Sequence, residues 1–446
     1  MDGTPEGSAV PAAKRGFMLH EYFINKSFII VYASFLMLRK SLVQLNAAVE
    51  YLPILILPTV TLLLLVGIIL DPRKGRIRFD AILPFTLYEL ASLFLFFLIG
   101  MVPYLDTPII GLLYTLIPPL FWVLFFNNNL LRIRDIFLYL DRLLIFWGVI
   151  NAIGAILQYY VSPSLFGLLV NRVYVVDTVH DLAQHIARRA ISFITSPQSL
   201  SIYLGIALIL LIERFRNQYR VQNIWDRGFY IGLILLLGYA GVLTGSKAFS
   251  VAIIVYILLS FLKEGKVIWG IAASLGVLIL MFARVDESTY ERFLRLPVIL
   301  ANIGEYSTFH IWYKFISFAD DIWRMLLGHG LGVLTSASQQ LHQYNIFNGS
   351  AESFLIHIYF EGGLIGLILW GWMIMRSIIN YRKHKEYYKY FYISVAILVN
   401  ALFTPSLLGF VVSFMFYPYL IGGLFISEIM TFRVRILRAT LDPIRH

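Results

Sequence analysis

Twelve runs of roughly twenty apolar residues set the terms on which this chain can fold. They fall near 17–38, 50–70, 80–102, 108–126, 137–161, 197–213, 228–245, 247–262, 267–284, 353–375, 390–410 and 411–430. A helix needs about 20 apolar residues to cross a bilayer core about 30 Å thick. Inside that core every backbone N–H and C=O must find its partner within protein. Hydrophobic residues make up 59% of the 446 and charged ones 14%, where a soluble domain carries roughly a quarter. Too little polar surface remains to cover a water-soluble core. The expected fold is an all-α polytopic membrane protein of about 12 transmembrane helices. Residues 1–16 read as a disordered cytoplasmic tail, 17–430 as a single transmembrane domain and 431–446 as a basic cytoplasmic tail. Lys26 interrupts the first run.

The chain has no cysteine, which excludes disulfides, thiolate nucleophiles and thiolate metal sites. Its net charge of +10 points at first sight to nucleic acid, but the position of the basic residues points elsewhere. Arg73, Lys74, Arg76 and Arg78 follow the second run, and Arg132 and Arg134 the fourth. Arg214, Arg216, Arg220 and Arg227 follow the sixth, and Lys263 and Lys266 the eighth. Arg376, Arg382, Lys383, Lys385 and Lys389 follow the tenth, and Arg433, Arg435, Arg438 and Arg445 lie in the tail. More than half of the 36 basic residues thus lie beyond even-numbered helices, and positive charge marks cytoplasmic loops. Both termini are expected in the cytoplasm, with no role for nucleic acid.

Two polar segments, 162–196 and 285–352, then fall on the outer side, and loops of that length in a compact protein are usually functional. In the first, His185 stands one helical turn before Arg188 and Arg189, a spacing that shares a face if the stretch is helical. Paired guanidinium groups at the outer interface would hold phosphate or touch lipid head groups as an amphipathic helix. Between the seventh and eighth runs, Thr244-Gly245-Ser246-Lys247 makes a polar break in apolar sequence. A lysine there either snorkels to the interface or serves function. Gly328, Gly330 and Gly332, with His329 among them, form a backbone that could approach a phosphate or sugar closely. Glu352 stands at the outer mouth of the tenth run, and Glu361 lies deeper beside Gly362, Gly363 and Gly366. Glu361 and His357 read as packing residues. No metal site and no cofactor are expected. Cationic clusters and a carboxylate at one interface suit a membrane-anchored anionic substrate such as a lipid-linked diphosphate.

Between about 185 and 370 these residues resemble the bacterial O-antigen ligase and O-antigen/capsule polymerase (Wzy-type) superfamily. Arg189-Ala190-Ile191-Ser192 followed by Ser196-Pro197-Gln198 is similar to the family's arginine run before Asn-Pro-Asn. Thr244-Gly245-Ser246-Lys247 resembles its Thr-X-Ser-Arg turn, and Gly328, Gly330 and Gly332 its Gly-X-Gly-X-Gly loop. Glu352-Ser353, the run 354–362, then Gly363 and Gly366 resemble its polar pair followed by Gly-X-X-Gly. Ligases place histidine where this chain has Glu352, and polymerases often carry an acid or amide. The family's Arg-X-X-X-Trp pattern is met only by Thr308 and Trp312, with Lys314, Arg292 and Arg295 as substitutes.

The resemblance implies a GT-C-like glycosyltransferase architecture in the bacterial inner membrane with a periplasmic site. It implies a polymerase joining undecaprenyl-diphosphate-linked oligosaccharides, as donor and acceptor, by inverting-type transfer. In that reading Arg189 and Lys247 hold the diphosphate, Arg188 supports them, and Glu352 is the base or acceptor-orienting residue. His185, His329, Gly328, Gly330, Gly332, Arg292, Arg295 and Lys314 would line the substrate. Membrane lipid and a chain-length regulator are the further partners. The alternatives are a ligase acting on lipid A core or protein, and a twelve-helix transporter or lipid-linked glycan flippase.

Overall fold

The computed structural model describes residues 12–46, 49, 51–70, 83–98, 109, 111, 113, 115–161, 190, 192–194, 196–218, 223–282, 307–317, 321–333, 353–405, 407 and 410–426. Each of the twelve apolar runs holds a helix, and no strand occurs among the described residues. In chain order these helices are α1 (Ala12–Leu45), α2 (Leu52–Leu70), α3 (Leu83–Leu98), α4 (Ile117–Asn128), α5 (Ile133–Tyr160), α6 (Pro197–Gln218), α7 (Ile224–Leu243), α8 (Lys247–Lys263) and α9 (Val267–Phe282). After α9 come α10 (Ser307–Ser317), α11 (Ile322–Leu327), α12 (Phe354–Lys383), α13 (Tyr388–Phe403) and α14 (Phe410–Ile421). The helices α10 and α11 lie inside the segment 285–352, whose conformation the sequence left open. They escape a hydropathy reading because both are short. Helix α1 starts at Ala12, inside the stretch expected to be a tail, and Lys26 sits within it with its ammonium 4.4 Å from the centre of the Tyr139 ring.

Four described helices, α5, α6, α7 and α12, are long and apolar enough to cross a membrane. Large apolar side chains stand exposed on the outside of the bundle, among them Leu62 and Leu63 of α2, Phe229 and Leu235 of α7 and Ile271 of α9. So many outward leucines, isoleucines and aromatics need lipid rather than water as neighbour. The protein is membrane-embedded.

The bundle has two distinct ends. At one end the Ser201 hydroxyl donates to the Ser246 carbonyl (3.3 Å), joining the start of α6 to the cap of α8, and Ser192 N–H donates to Gln158 near the end of α5 (2.9 Å). There too Ser353, which caps α12, donates through its hydroxyl to the Ala401 carbonyl at the end of α13 (3.2 Å). At the other end Arg216 of α6 meets Ser260 (2.9 Å) and Glu264 after α8, and Lys263 lies 4.1 Å from the Tyr388 ring centre at the start of α13. Between the ends, the buried Asp141 of α5 accepts from Lys389 and Tyr390 of α13 and from Tyr419 of α14. One carboxylate thus ties three helices, and its charge is met by an ammonium and two hydroxyls, as burial requires.

Helix α12 is broken once. Gly363 has φ 62° and ψ −167°, a backbone conformation reserved almost entirely for glycine. A break frees carbonyls that an unbroken helix would bond to the next turn, and inside a membrane they must find other donors. The Phe360 carbonyl accepts from His329 N–H (2.8 Å), the Glu361 carbonyl from Gly330 N–H (3.0 Å), and the Gly362 carbonyl from the Tyr88 hydroxyl of α3. The same hydroxyl donates to the Leu327 carbonyl (3.0 Å). A Cβ on Gly363 would overlap the Leu326 carbonyl, and one on Gly328 would overlap the Glu361 carbonyl. On its other side the loop meets Gly111, whose added Cβ would strike the Gly332 backbone. Backbone therefore packs on backbone at 328–332, and glycine is needed there for close approach.

The Gly363→Ala variant should lose stability by about 1–3 kcal/mol for its strained backbone alone, with more from the clash. Gly371→Ala on the same helix, where an added Cβ meets nothing within 4 Å, should be neutral or slightly stabilising. Thermal unfolding of the two variants in detergent, followed by tryptophan fluorescence, should separate them clearly.

Candidate functional site

The α7–α8 turn is built by its own side chains. The Thr244 hydroxyl donates to the Gly241 carbonyl (2.7 Å) and accepts from Ser246 N–H (3.3 Å), while Gly245 adopts φ 57°. Ser246 then caps α8 by accepting from Ala248 N–H (3.3 Å), which meets one of the orphan donors of a helix start. Lys247 is the first residue of α8 and stands exposed, whereas Thr244 and Ser246 are buried. The polar break therefore does not bury an ammonium. It fixes the turn and presents Lys247 outward beside a helix N-terminus, where the helix dipole adds to its attraction for anions.

The described part of the 190–196 stretch packs against this turn. Ala190, which follows Arg189 in the chain, donates its N–H to the Leu243 carbonyl (3.2 Å). Ser192 N–H reaches the Gln158 side chain, and Phe193 N–H the Asn151 side chain (3.3 Å). Both amides project from α5 and meet backbone that no helix satisfies. Ser192 is wholly buried with φ 46°, against Gly154 of α5. A serine in that conformation is costly, so the stretch is held by tertiary contacts. Asn151 and Gln158 stand out as amides seven residues apart in an apolar helix, a signal present in the sequence but carried by neutral side chains rather than by charge.

The start of α12 is anchored as firmly. The Ser353 hydroxyl accepts from Ile356 N–H (3.3 Å) as well as donating to Ala401, and Phe354 N–H donates to the Thr404 carbonyl (3.1 Å). Ser353 follows Glu352 in the chain and is buried. The residues next to Arg189 and Glu352, together with Lys247 itself, thus share one end of the bundle. Glu352, Arg189, Arg188, His185, Arg292 and Arg295 lie outside the described residues, so their side chains enter no geometry here.

The glycine loop is occupied by the protein itself. Gly328 N–H donates to Arg324 (2.8 Å), and the N–H groups of His329 and Gly330 are bonded at the α12 break. These three donors are spent on protein carbonyls. The His329 ring stacks on Phe360 with centroids 4.0 Å apart and planes 5° apart, with Nδ1 3.2 Å from the Phe360 carbonyl. Lys314 stands exposed on α10. Deeper in α12, His357 Nε2 lies 3.2 Å from Glu361 Oε2 and both side chains are buried. Glu89 of α3 reaches the same place, its Oε1 3.8 Å from the position a Cβ on Gly362 would take. A second carboxylate, from another helix, therefore lies near the buried His357–Glu361 pair. No group of three metal-ligating side chains occurs among the described residues.

Because the chain lacks cysteine, single replacements give a clean readout of this end. Ser192→Cys should resist maleimide in the folded protein, and become reactive when Gln158→Leu removes the amide that holds it. Lys247→Cys and Lys385→Cys should react with an impermeant maleimide from opposite sides of a sealed vesicle. Reaction of both from the same side would contradict the two-ended bundle. Comparison with protein-family models, with curated proteins and with solved structures gives no match.

Proposed function

We propose that this protein is a lipid-diphosphate-dependent glycosyltransferase of the polymerase type. In this reading twelve helices span the bacterial inner membrane, with the Lys247 end facing the periplasm. The observation that carries it is the gathering of Ala190, Lys247 and Ser353 at one end. Two of these are chain neighbours of the arginine and the carboxylate that the motif resemblance singles out. A hydroxyl of the acceptor saccharide attacks C1 of the donor chain. The C1–O bond to undecaprenyl diphosphate breaks, the new glycosidic C–O bond forms, and the hydroxyl proton passes to the Glu352 carboxylate. Arg189 and Lys247 offset the charge that grows on the departing diphosphate, the kind of term that dominates many catalysed transfers. The protein's other task is to align two lipid-anchored substrates.

A proton-coupled transporter or flippase is the second reading. The buried His357–Glu361 pair with Glu89 close by favours it, because ionisable groups at bilayer depth recur in proton pathways.

One preparation separates the readings. Purified protein in nanodiscs, given its host's lipid-linked repeat unit, should build a ladder of longer lipid-linked chains. Lys247→Ala and Arg189→Ala should slow that ladder about 10²–10³-fold, as loss of one charge-stabilising group does elsewhere, and Glu352→Ala should slow it comparably. Repeat units that stay single, but cross the bilayer in a pH-dependent way lost in Glu361→Gln, would replace polymerisation with transport. Transfer to lipid A core in place of chain growth would identify a ligase.

A further inference from the structure

The end of the bundle away from Lys247 holds a charged cavity, which plays no part in the glycosyl-transfer reading and does not rest on it. Its volume is about 420 Å³, and Arg134 of α5, Arg216 of α6, Lys263 of α8 and Lys385 and Lys389 around the start of α13 line it. Helix α8 alone separates Lys263 from Lys247 by about 24 Å at 1.5 Å per residue. Four separate elements therefore bring cations to one concave space.

Among the described residues these charges are not all compensated. Lys389 is bonded to Asp141, and Arg216 to Glu264 with Glu213 3.7 Å away. Arg134, Lys263 and Lys385 have no carboxylate partner among the described residues, and Glu386 is the remaining acid in the lining. The cavity lining thus presents excess positive charge, with a planar guanidinium fork and two ammonium groups that suit phosphate oxygens. Tyr388 and Tyr392 add aromatic wall.

Its depth is marked by aromatics. Trp225 at the start of α7 and Trp269 at the start of α9 stand 83% and 69% exposed, and both helices begin at this end. Exposed tryptophans at helix ends mark the boundary between hydrocarbon and head groups. Arg216 and Lys263 of the lining stand at helix ends on this same side, and a basic pocket between helices at the interface suits anionic lipid. We propose that it is a binding site for a phosphate-bearing anion, the head group of an anionic phospholipid. Soluble phosphate shares the chemistry, and the experiment tells the two apart.

Delipidated protein would be titrated with phosphatidylglycerol, with phosphatidylcholine and with inorganic pyrophosphate, and bound species counted by native mass spectrometry. The comparison is Arg134→Gln with Lys385→Gln, two exposed side chains whose loss should leave the melting temperature unchanged. Lys263→Gln is the independent second variant. The expected result is preferential retention of phosphatidylglycerol, weakened about ten-fold or more in the double variant, and little affected by pyrophosphate. Pyrophosphate binding that is lost in the same variants, without lipid preference, would keep the anion site but assign it to a soluble ligand. Equal retention of both lipids with no pyrophosphate binding would overturn the proposal, as would binding that neither variant weakens.

Discussion

In a bilayer no water waits to bond a loose peptide group, and the interior of this protein is organised around that shortage. Where α12 breaks at Gly363, the carbonyls of Phe360, Glu361 and Gly362 are met by two loop N–H groups and one tyrosine hydroxyl. Where the described residues 192–194 run without helix, Asn151 and Gln158 supply acceptors from α5. These are solutions of one kind. Irregular backbone is tolerated at depth only where protein replaces water. Both irregular segments also border the motifs that suggested function.

The same constraint separates what the glycines do from what their pattern suggests. A Gly-X-Gly-X-Gly loop invites a phosphate, because bare backbone leaves room for one. Here the room is filled by α12 and by Gly111, and three of the loop's N–H groups are bonded to carbonyls. The loop's contribution to a site at this end is therefore mechanical: it fixes the first turns of α12, which Ser353 caps.

Hydropathy alone located every long helix among the described residues, because an apolar run of twenty residues has few other fates. It could not see α10 and α11, which are too short to carry a membrane signal. Nor could it see the break in α12, because Gly363 sits in a run apolar enough to read as straight helix and its φ is imposed by neighbours distant in sequence. The polar turn at Thr244–Lys247 was legible as a break, yet its consequence for Lys247 was not: hydroxyl groups build the turn and leave the ammonium exposed. Glu361 and His357 were legible as residues. Their pairing follows from the helical register of α12, whereas the nearby Glu89 depends on the approach of α3.

The bonds at the α12 break have a direction in time. Tyr88, His329 and Gly330 all precede Phe360, Glu361 and Gly362 in the chain, and synthesis runs from the N-terminus. Each donor is therefore made before the carbonyl it serves. When the first half of α12 is made, the segments that carry those donors have already been synthesised. A break that would be prohibitive for a lone helix in lipid becomes admissible for a helix that arrives late.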